Sequence, residues 1–344
     1  MAEHTKTKVA ILVLIVGVAG ITTAAITWYQ IDSKKIRVGY VNEDLHHFAI
    51  VTAIEKGMFI DAGLDLKFVK YTNDASLMEA MASGTVDMGY MDFATAIIAN
   101  RNDSLGITLL ASASVNGSAL MGNNESGDKI ESNYFNLHNN QTWIPGINTI
   151  ENLFLKLAIN TSLANASFNY DDNMTIVVKA ENELVSSIGK NRTFVGTGIY
   201  RALGENQTDA AYIYKSEEVW PNHPSSVIGA RNGFLEVEEN REIAKRILAV
   251  LVDATDFIND PANHDDVLTL AVRYLGYSEL VPEHVAVVES ALDSVGFVYA
   301  PNDTMLEEFV DNLIYFDFIA NITDVTAYLE SFYNQSILKQ LPIW

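Results

Sequence analysis

Two adjacent histidines, His46 and His47, follow two acidic residues, Glu43 and Asp44. Imidazole nitrogens and carboxylate oxygens are ligands that zinc accepts, so this group could bind a metal ion. Adjacent histidines project in different directions, however, and no third histidine stands at a helical spacing from them. We therefore expect no metal site, and expect the imidazole of His47 to hydrogen-bond either to a ligand oxygen or to its own loop.

Sequence signals for catalysis and for bound cofactors are missing from the chain. It contains no cysteine, which excludes disulfides, thiolate metal sites, Fe–S clusters and cysteine nucleophiles. It has neither the Gly-X-Ser-X-Gly elbow of serine hydrolases nor a glycine-rich phosphate loop. We therefore expect a protein that is not an enzyme and uses no cofactor.

Charge and size narrow the class of protein further. The 344 residues include 22 Lys and Arg against 44 Asp and Glu, and the net charge of −22 has the wrong sign for binding nucleic acid phosphates. Since 49% of the residues are apolar, the chain can bury a large core. Its length exceeds what one core usually organises. We expect a folded, acidic protein of two lobes that binds no nucleic acid.

Residues 9–28 form an uncharged stretch that is long enough to cross a membrane as a helix. We therefore expect a short tail at 1–8, a transmembrane anchor at 9–29 and a linker at 30–35. The alternative is a signal peptide that is cleaved after the small residues near Ala25.

Asn-X-Ser/Thr sequons are more frequent than the asparagine content alone would give. This excess is typical of a glycosylated chain outside the cell. The alternative is an asparagine-rich composition without glycans. Together with the anchor, the acidic composition and the missing cysteines, the sequons indicate an archaeal protein on the extracellular face of the cell membrane. They begin at Asn102, Asn116, Asn124, Asn140, Asn160, Asn165, Asn173, Asn191, Asn206, Asn302, Asn321 and Asn334.

From residue 36 onward, short β-rich runs alternate with helical stretches, which predicts an α/β protein. The predicted strands are 36–41, 64–71, 86–90, 107–112, 142–145, 176–178, 210–214 and 226–230. The predicted helices are 48–56, 75–82, 93–100, 149–159, 181–188, 238–259, 265–274, 283–294, 304–319 and 324–332. The C-terminal third is therefore expected to be helical.

A series of short motifs follows the chain in a fixed order. They are Gly39-Tyr40, His47, Glu55-Lys56-Gly57, Phe59, Gly63-Leu64-Asp65, the segment 77–90, Pro145-Gly146-Ile147 and the segment 219–224. In these motifs the chain resembles the nitrate-, sulfonate- and taurine-type substrate-binding proteins of ABC importers. The resemblance is good over residues 36–113 and 218–295 and weak over 114–217.

The resemblance implies the type II fold of periplasmic binding proteins, in which two crossing segments join two α/β lobes. Lobe 1 would comprise residues 36–113 and a return, 218–344, with the C-terminal helices; lobe 2 would comprise residues 114–217. The expected hinges are 113–115 and 217–220. Loops at the strand ends would face the cleft between the lobes. The expected ligand-binding residues are Asn42, His46, His47, Thr72, Asn73, Asp92, Phe93, Ser112, Ser114, Gly146, Asn148, Thr149 and Tyr212.

The resemblance is incomplete at the expected cleft. Asp92 stands where the family has a small or apolar residue, and the Trp-Glu-Pro that is frequent in the second lobe is missing near Tyr212. Together with Glu43 and Asp44, Asp92 would repel an anion and favour a cation, an amine or a polyhydroxylated ligand. Alternatively, Asp92 caps the helix that begins at Phe93.

We therefore expect an extracellular solute-binding protein that captures a small molecule between its lobes and delivers it to an ABC permease. Its partners would be the solute, the permease, the membrane through the N-terminal helix, and N-glycans. An enzyme that forms the thiamine pyrimidine shares the fold but relies on clustered cysteines, so that activity is not expected here. The alternative is a glycosylated envelope or filament subunit that reuses the fold and forms homo-oligomers.

Overall fold

The computed structural model describes residues 35–103, 105–123, 129–131, 134–136, 141–162, 174–190, 192–300 and 302–341. The predicted anchor at 9–29 lies outside these ranges. Among the residues described, no helix is both long and apolar enough to cross a membrane. The N-terminal anchor therefore stays a prediction.

The described residues form thirteen strands and fourteen α-helices, besides four short 3-10 helices. Strands β1 to β13 are Ile36–Val41, Leu66–Tyr71, Met88–Asp92, Ile107–Asn116, Ser118–Asn123, Lys129–Glu131, Tyr134–Asn136, Gln141–Ile144, Thr175–Val178, Thr193–Thr197, Ala210–Lys215, Pro224–Arg231 and Val295–Phe297. Helices α1 to α14 are Phe48–Glu55, Met58–Asp61, Asp74–Ala82, Phe93–Asp103, Ile150–Ser162, Glu181–Leu184, Gly198–Glu205, Ser216–Val219, Asn232–Leu235, Glu238–Asn259, His264–Tyr274, Pro282–Ser294, Asp303–Tyr315 and Val325–Phe332. The predicted α/β class and the helical C-terminal third are confirmed.

The first main sheet has the strand order β13-β4-β12-β3-β1-β2, and we call the part of the chain built on it lobe 1. Strands β1, β2 and β3 run parallel, and β12 runs antiparallel to both β3 and β4. The carboxyl ends of β1 to β4 therefore meet the amino end of β12 at one edge. Loops at this edge are brought together from distant parts of the sequence.

The second main sheet has the order β11-β5-β10-β8-β9, and we call the part built on it lobe 2. Strands β8, β9 and β10 run parallel, and β5 runs antiparallel to β10 and β11. The carboxyl ends of β8 to β11 therefore share one edge with the start of β5. A separate hairpin pairs β6 with β7.

The chain passes between the two sheets twice. At the first crossing only Gly117 separates β4 from β5, and the second crossing consists of α8 and residues 220–223. The first predicted hinge, at 113–115, was placed too early, because β4 stays paired with β13 as far as Asn116. The second predicted hinge, at 217–220, overlaps α8.

Aromatic rings hold the second crossing against the C-terminal helices. Trp220 stacks on His223, with ring centroids 5.3 Å apart, and lies 5.1 Å from the ring of Phe309 on α13. Phe309 in turn lies 4.6 Å from Phe93, at the start of α4. This cluster belongs to a core on one face of the first sheet, while α1 and α10 contribute to the core that contains Val38 of β1.

Gly117 is required for both its conformation and its lack of a side chain. Its φ of 96° lies in the region that L-residues rarely adopt. A Cβ at this position would lie 2.6 Å from Cε1 of His46, which is shorter than any ordinary contact. The first crossing therefore depends on a glycine against which an imidazole ring packs.

We expect Gly117→Ala to lower the free energy of unfolding by about 3 kcal/mol, because it combines backbone strain with steric overlap. The matched control is Gly189→Ala, since a Cβ at Gly189 would meet no atom within 4 Å and its φ is not positive. The control should change stability by less than about 1 kcal/mol. Urea unfolding of both variants measures the difference, and equal effects would contradict this account of the crossing.

Candidate ligand-binding cleft

A cavity of about 1030 Å³ lies between the two lobes. Lobe 1 lines it with the loops that follow β1, β2 and β3 and with the start of β12; lobe 2 lines it with the loops that follow β8, β9 and β10. These are the edges at which the parallel strands of each sheet end. A cavity of this size is large enough to enclose a small organic molecule.

Eight of the thirteen predicted ligand-binding residues line this cavity. They are His46, His47, Thr72, Asn73, Asp92, Gly146, Asn148 and Thr149. They come from four separate loops of the two lobes, which the fold brings to one place. That they bind a ligand stays a prediction.

The other five predicted residues do not line the cavity. Phe93 is fully buried in the core, and Ser112 lies inside β4. Asn42 turns its amide to the carboxylate of the neighbouring Glu43 (3.0 Å).

Two of the five predicted residues outside the lining make hydrogen bonds that explain why they lie there. Ser114 lies behind the lining and contacts His46. Tyr212 lies on β11, an edge strand, where its hydroxyl accepts a hydrogen bond from Nε of Arg201 (3.4 Å).

His47 is fully buried and has one satisfied and one unsatisfied ring nitrogen. Its Nδ1 accepts a hydrogen bond from the backbone N–H of Val41 (3.0 Å). A neutral ring therefore carries its proton on Nε2, which has no hydrogen-bond partner and lies 3.8 Å from Oδ2 of Asp44. The hydrogen bond to its own loop, one of the two alternatives predicted for His47, is therefore present. That Nε2 binds a ligand stays a prediction.

His46 joins the two lobes through a chain of hydroxyl groups. Its Nδ1 lies 2.9 Å from Oγ of Ser114, and its Nε2 lies 2.6 Å from Oγ1 of Thr197. Ser114 Oγ lies 2.8 Å from Oγ of Ser226. The two serines belong to lobe 1, whereas Thr197 ends β10 in lobe 2.

The direction of each bond in this chain follows from one fixed acceptor, the carbonyl oxygen of His46. Ser226 donates to that oxygen (2.9 Å) and therefore accepts from Ser114. Ser114 has then used its only proton, so it accepts from Nδ1 of His46. Burial lowers the pKa of His46 although Asp44 opposes the shift, so the ring is neutral and Nε2 accepts from Thr197.

The lining is acidic on both sides of the cleft. In the described part of the lining there is no lysine or arginine, and the seven carboxylates are Glu43, Asp44, Asp74, Glu79, Asp92, Glu151 and Glu181. Asp74 and Glu151 are not among the ligand-binding residues predicted from the sequence, because each lies in the first turn of a helix, where acidic residues commonly interact with the helix dipole. Their position directly after two predicted cleft loops is the signal that could have identified them.

Asp92 both caps a helix and faces the cavity. Its Oδ1 accepts a hydrogen bond from the backbone N–H of Thr95 (2.6 Å), as expected for a cap of α4. The backbone N–H of Asp92 donates to Oδ1 of Asp74 (2.7 Å), which brings two carboxyl groups together. Burial raises the pKa of Asp92 well above its ordinary value, and the negative charges of Asp74 and Glu151 raise it further.

Glu151 is the most buried carboxylate of the cleft, with 5% of its surface exposed. Burial raises its pKa to about 7, against hydrogen bonds from Thr149 and from its own backbone. The negative charges of Asp44 and Asp74 add to this shift. Near neutral pH the carboxyl group of Glu151 is therefore only partly ionised.

Metal ligands are not grouped in the part of the chain that the structure describes. Within residues 35–341, apart from the gaps given above, no three His, Asp or Glu side chains are placed to hold a metal ion.

Seven of the twelve predicted glycosylation asparagines lie among the described residues. Six of them are exposed: Asn102, Asn160, Asn206, Asn302, Asn321 and Asn334. Asn116 differs, because it is half-buried at the first crossing and its Oδ1 accepts a hydrogen bond from the backbone N–H of Asn222 (2.7 Å). The remaining five, Asn124, Asn140, Asn165, Asn173 and Asn191, lie outside the described residues.

Residues 30–272 match the model of the NMT1-like family. The chain belongs to the NMT1-like family. Proteins of Brucella abortus (strain 2308) and Brucella suis biovar 1 (strain 1330) that are named as binding proteins are 26% identical to it over 250 residues. That alignment covers 71% of this chain and 72% of each relative.

Solved structures share the fold at low identity. The periplasmic nitrate-binding protein NrtA from Synechocystis PCC 6803 aligns with a TM-score of 0.74 and 12% identity, over 89% of this chain and 87% of that one. The zinc-bound ligand-binding component of an ABC-type import system from Staphylococcus aureus gives 0.71 and 15%, over 89% and 98%. The periplasmic aliphatic sulphonate binding protein SsuA from Escherichia coli gives 0.65 and 12%, over 85% and 90%.

These likenesses show the fold of binding components of ABC-type import systems. The predicted periplasmic-binding-protein fold is therefore confirmed. The archaeal source and the membrane anchor stay predictions.

We expect Thr197→Val to lower the free energy of unfolding by about 1–3 kcal/mol, because it leaves the buried Nε2 of His46 without a donor while keeping the side-chain shape. Thr197→Ser, which keeps the hydroxyl group, should lose clearly less. Chemical unfolding of the two variants tests the contact between the lobes. A valine variant as stable as the native chain would show that the hydrogen bond contributes nothing.

Glu151→Gln should flatten the dependence of stability on pH. The pKa of Glu151 is higher in the folded state, about 7, than its ordinary value of 4.5, so the folded form keeps a proton that the unfolded chain releases. Its contribution to the free energy of unfolding therefore falls as the pH rises from about 4.5 to about 7. The glutamine variant should gain stability relative to the native chain across this range, by about 1 kcal/mol or more at pH 8.

Unfolding curves at pH 5, 6, 7 and 8 measure this gain. The matched control is Glu239→Gln, since Glu239 is exposed in the first turn of α10. The control should follow the native curve at every pH. If the free energy of unfolding depended on pH in the same way in Glu151→Gln and in the native chain, the assigned pKa would be contradicted.

Proposed function

We propose that the chain captures a small solute in the cleft between its lobes and delivers it to an ABC permease at the extracellular face of the membrane. The observation that carries this proposal is the cavity of about 1030 Å³, which loops of both lobes line together. Rotation about the two crossings described above would open and close this cavity. No bond is made or broken in such a cycle.

Family and fold support this function. The Brucella relatives are named as binding proteins, and the similar protein of Staphylococcus aureus is a component of an ABC-type import system. The similar proteins of Synechocystis and Escherichia coli bind nitrate and aliphatic sulphonates, respectively. Together with the cavity, they favour solute capture over the alternative of a structural envelope subunit.

The N-terminal stretch and the glycans belong to the same proposal. A helix at residues 9–29 would hold the chain at the membrane near the permease, since the chain has no cysteine that could carry a lipid. The exposed asparagines of the sequons would carry glycans on surfaces away from the cavity lining.

A bound solute should stabilise the closed form and make it more compact. At a hundredfold excess over Kd the free energy of unfolding would rise by about 2.7 kcal/mol, which raises the Tm measurably. Fractions of a solute library are added to the full chain in detergent, and the Tm is recorded. For fractions that raise the Tm, small-angle scattering should show a smaller radius of gyration.

A blocked cleft provides the control for this experiment. Asn148→Trp places a large side chain on an exposed position of the lining and should abolish the Tm rise. Asn206→Trp, at an exposed position outside the lining, should leave it unchanged. If no solute fraction raises the Tm and the native protein is an oligomer, the envelope-subunit alternative would be favoured.

A further inference from the structure

We propose that the cleft binds a small organic cation whose charged group has a hydrogen-bond acceptor beside it. This inference rests on the proposed solute-binding function and specifies the class of solute.

The first observation is that carboxyl groups face the cavity from both lobes and that the described lining offers them no lysine or arginine. Asp74 and Asp92 come from lobe 1, and Glu151 comes from lobe 2. The lobes already touch here, since Oγ1 of Thr95 in lobe 1 donates to the carbonyl of Asn148 in lobe 2 (3.1 Å). Like charges on opposite sides of a closing cleft repel each other, and a cation placed between them turns this repulsion into attraction.

The second, independent observation is the unpartnered ring nitrogen of His47. Its side chain is fully buried and lines the cavity, and its Nε2 has no hydrogen-bond partner. Because Nδ1 accepts from the backbone of Val41, the N–H on Nε2 can only donate. A buried donor without a partner is unfavourable, so a ligand with an acceptor at this point gains a hydrogen bond.

The two observations together define the ligand more closely than either does alone. The carboxylates require positive charge or donors, and His47 requires an acceptor. An oxyanion would satisfy His47 but would meet seven carboxylates and no lysine or arginine in the described lining. A polyol would satisfy both sets of hydrogen bonds but would leave the carboxylates repelling one another. A protonated amine or quaternary ammonium next to a hydroxyl or amide oxygen meets every requirement.

Binding of a cation in the cleft should be coupled to the release of protons from its carboxyl groups. Burial raises the pKa of Glu151 to about 7, and the negative charges of Asp44 and Asp74 add to this shift. The charge of Glu151 in turn raises the pKa of Asp92 and of Glu181, which also line the cavity. A bound cation lowers the pKa of such a group, so binding releases protons. The affinity for a cation should therefore rise between pH 6 and pH 8, whereas that for a neutral molecule should not.

The experiment compares each cation with an uncharged molecule of the same shape. Ethanolamine, 3-aminopropanamide and choline are paired with ethylene glycol, butanamide and 3,3-dimethylbutan-1-ol, and nitrate and ethanesulfonate serve as anions. The Tm of the full chain in detergent is measured at pH 6 and pH 8 with each compound at 10 mM and with EDTA present. We expect at least one cation to raise the Tm, more at pH 8 than at pH 6, and its neutral counterpart to have no effect.

Other outcomes separate this inference from the proposed function. A Tm rise with an anion or a neutral compound, and with no cation, would overturn the inference while leaving solute binding intact. A Tm rise with a cation that its neutral counterpart matches would overturn it as well. If none of the eight compounds raises the Tm but a fraction of the solute library does, the inference of a cationic ligand would be overturned and the proposed solute binding would stand.

Charge-removing variants test the site itself. Asp92→Asn keeps an oxygen that can cap α4 and removes the charge, so the Kd for the best cation should rise at least tenfold. Glu151→Gln, from the opposite lobe, should have the same effect and serves if the first variant does not fold. Glu239→Gln, exposed and outside the lining, should stay within twofold. Unchanged affinity in a folded Asp92 or Glu151 variant would overturn the inference.

Discussion

At the first crossing between the sheets, the imidazole ring of His46 packs against a residue that must be glycine. The same ring accepts a hydrogen bond from Thr197 of one lobe and donates to Ser114 of the other, so it fixes how the sheets meet beside Gly117. Because His47 follows directly in the same 3-10 helix, Leu45–His47, its orientation depends on this contact too. The arrangement of the cleft therefore depends on one neutral, buried histidine.

Charges are divided between the two ends of the first sheet. At the end opposite the cleft, Asp87 accepts hydrogen bonds from Arg37 and Arg231. Burial alone would raise the pKa of Asp87, but these guanidinium groups outweigh it and hold the pKa below its ordinary value. At the cleft end, Asp92 lacks such a partner, as does Glu151 of lobe 2 across the cleft, and the pKa values of both are raised. The same residue type thus stabilises the fold where arginines neutralise it and remains available for a ligand where they do not.

The sequence was sufficient to predict those strands and helices that a local residue pattern defines. The bounds of β1 and α10 were predicted as the structure has them, because clear hydrophobic periodicity and polar boundaries define both elements. Strand β5 was missed, since it is buried over its whole length and therefore lacks an alternating pattern, and polar residues surround it. The predicted helix at 304–319 ends earlier, at Tyr315, because Asp317 adopts a positive φ of 60°. In the cleft, strand-end loops could be named in advance, but the unpaired nitrogen of His47 depends on tertiary contacts that no local pattern reports.

The position of β12 in the first sheet has a consequence for how the chain folds. This strand lies between β3 and β4, so these two strands do not pair with each other and each pairs with β12 instead. When β1 to β4 emerge from the ribosome, β4 is therefore not paired with the sheet of β1, β2 and β3. It stays unpaired with them until Pro224–Arg231 has been synthesised. The whole of lobe 2 is translated during this interval and can fold first, as an inserted unit. Contacts between such distant parts of a sequence form slowly, which leaves the edges of β3 and β4 unpaired meanwhile and makes chaperone binding useful at this stage.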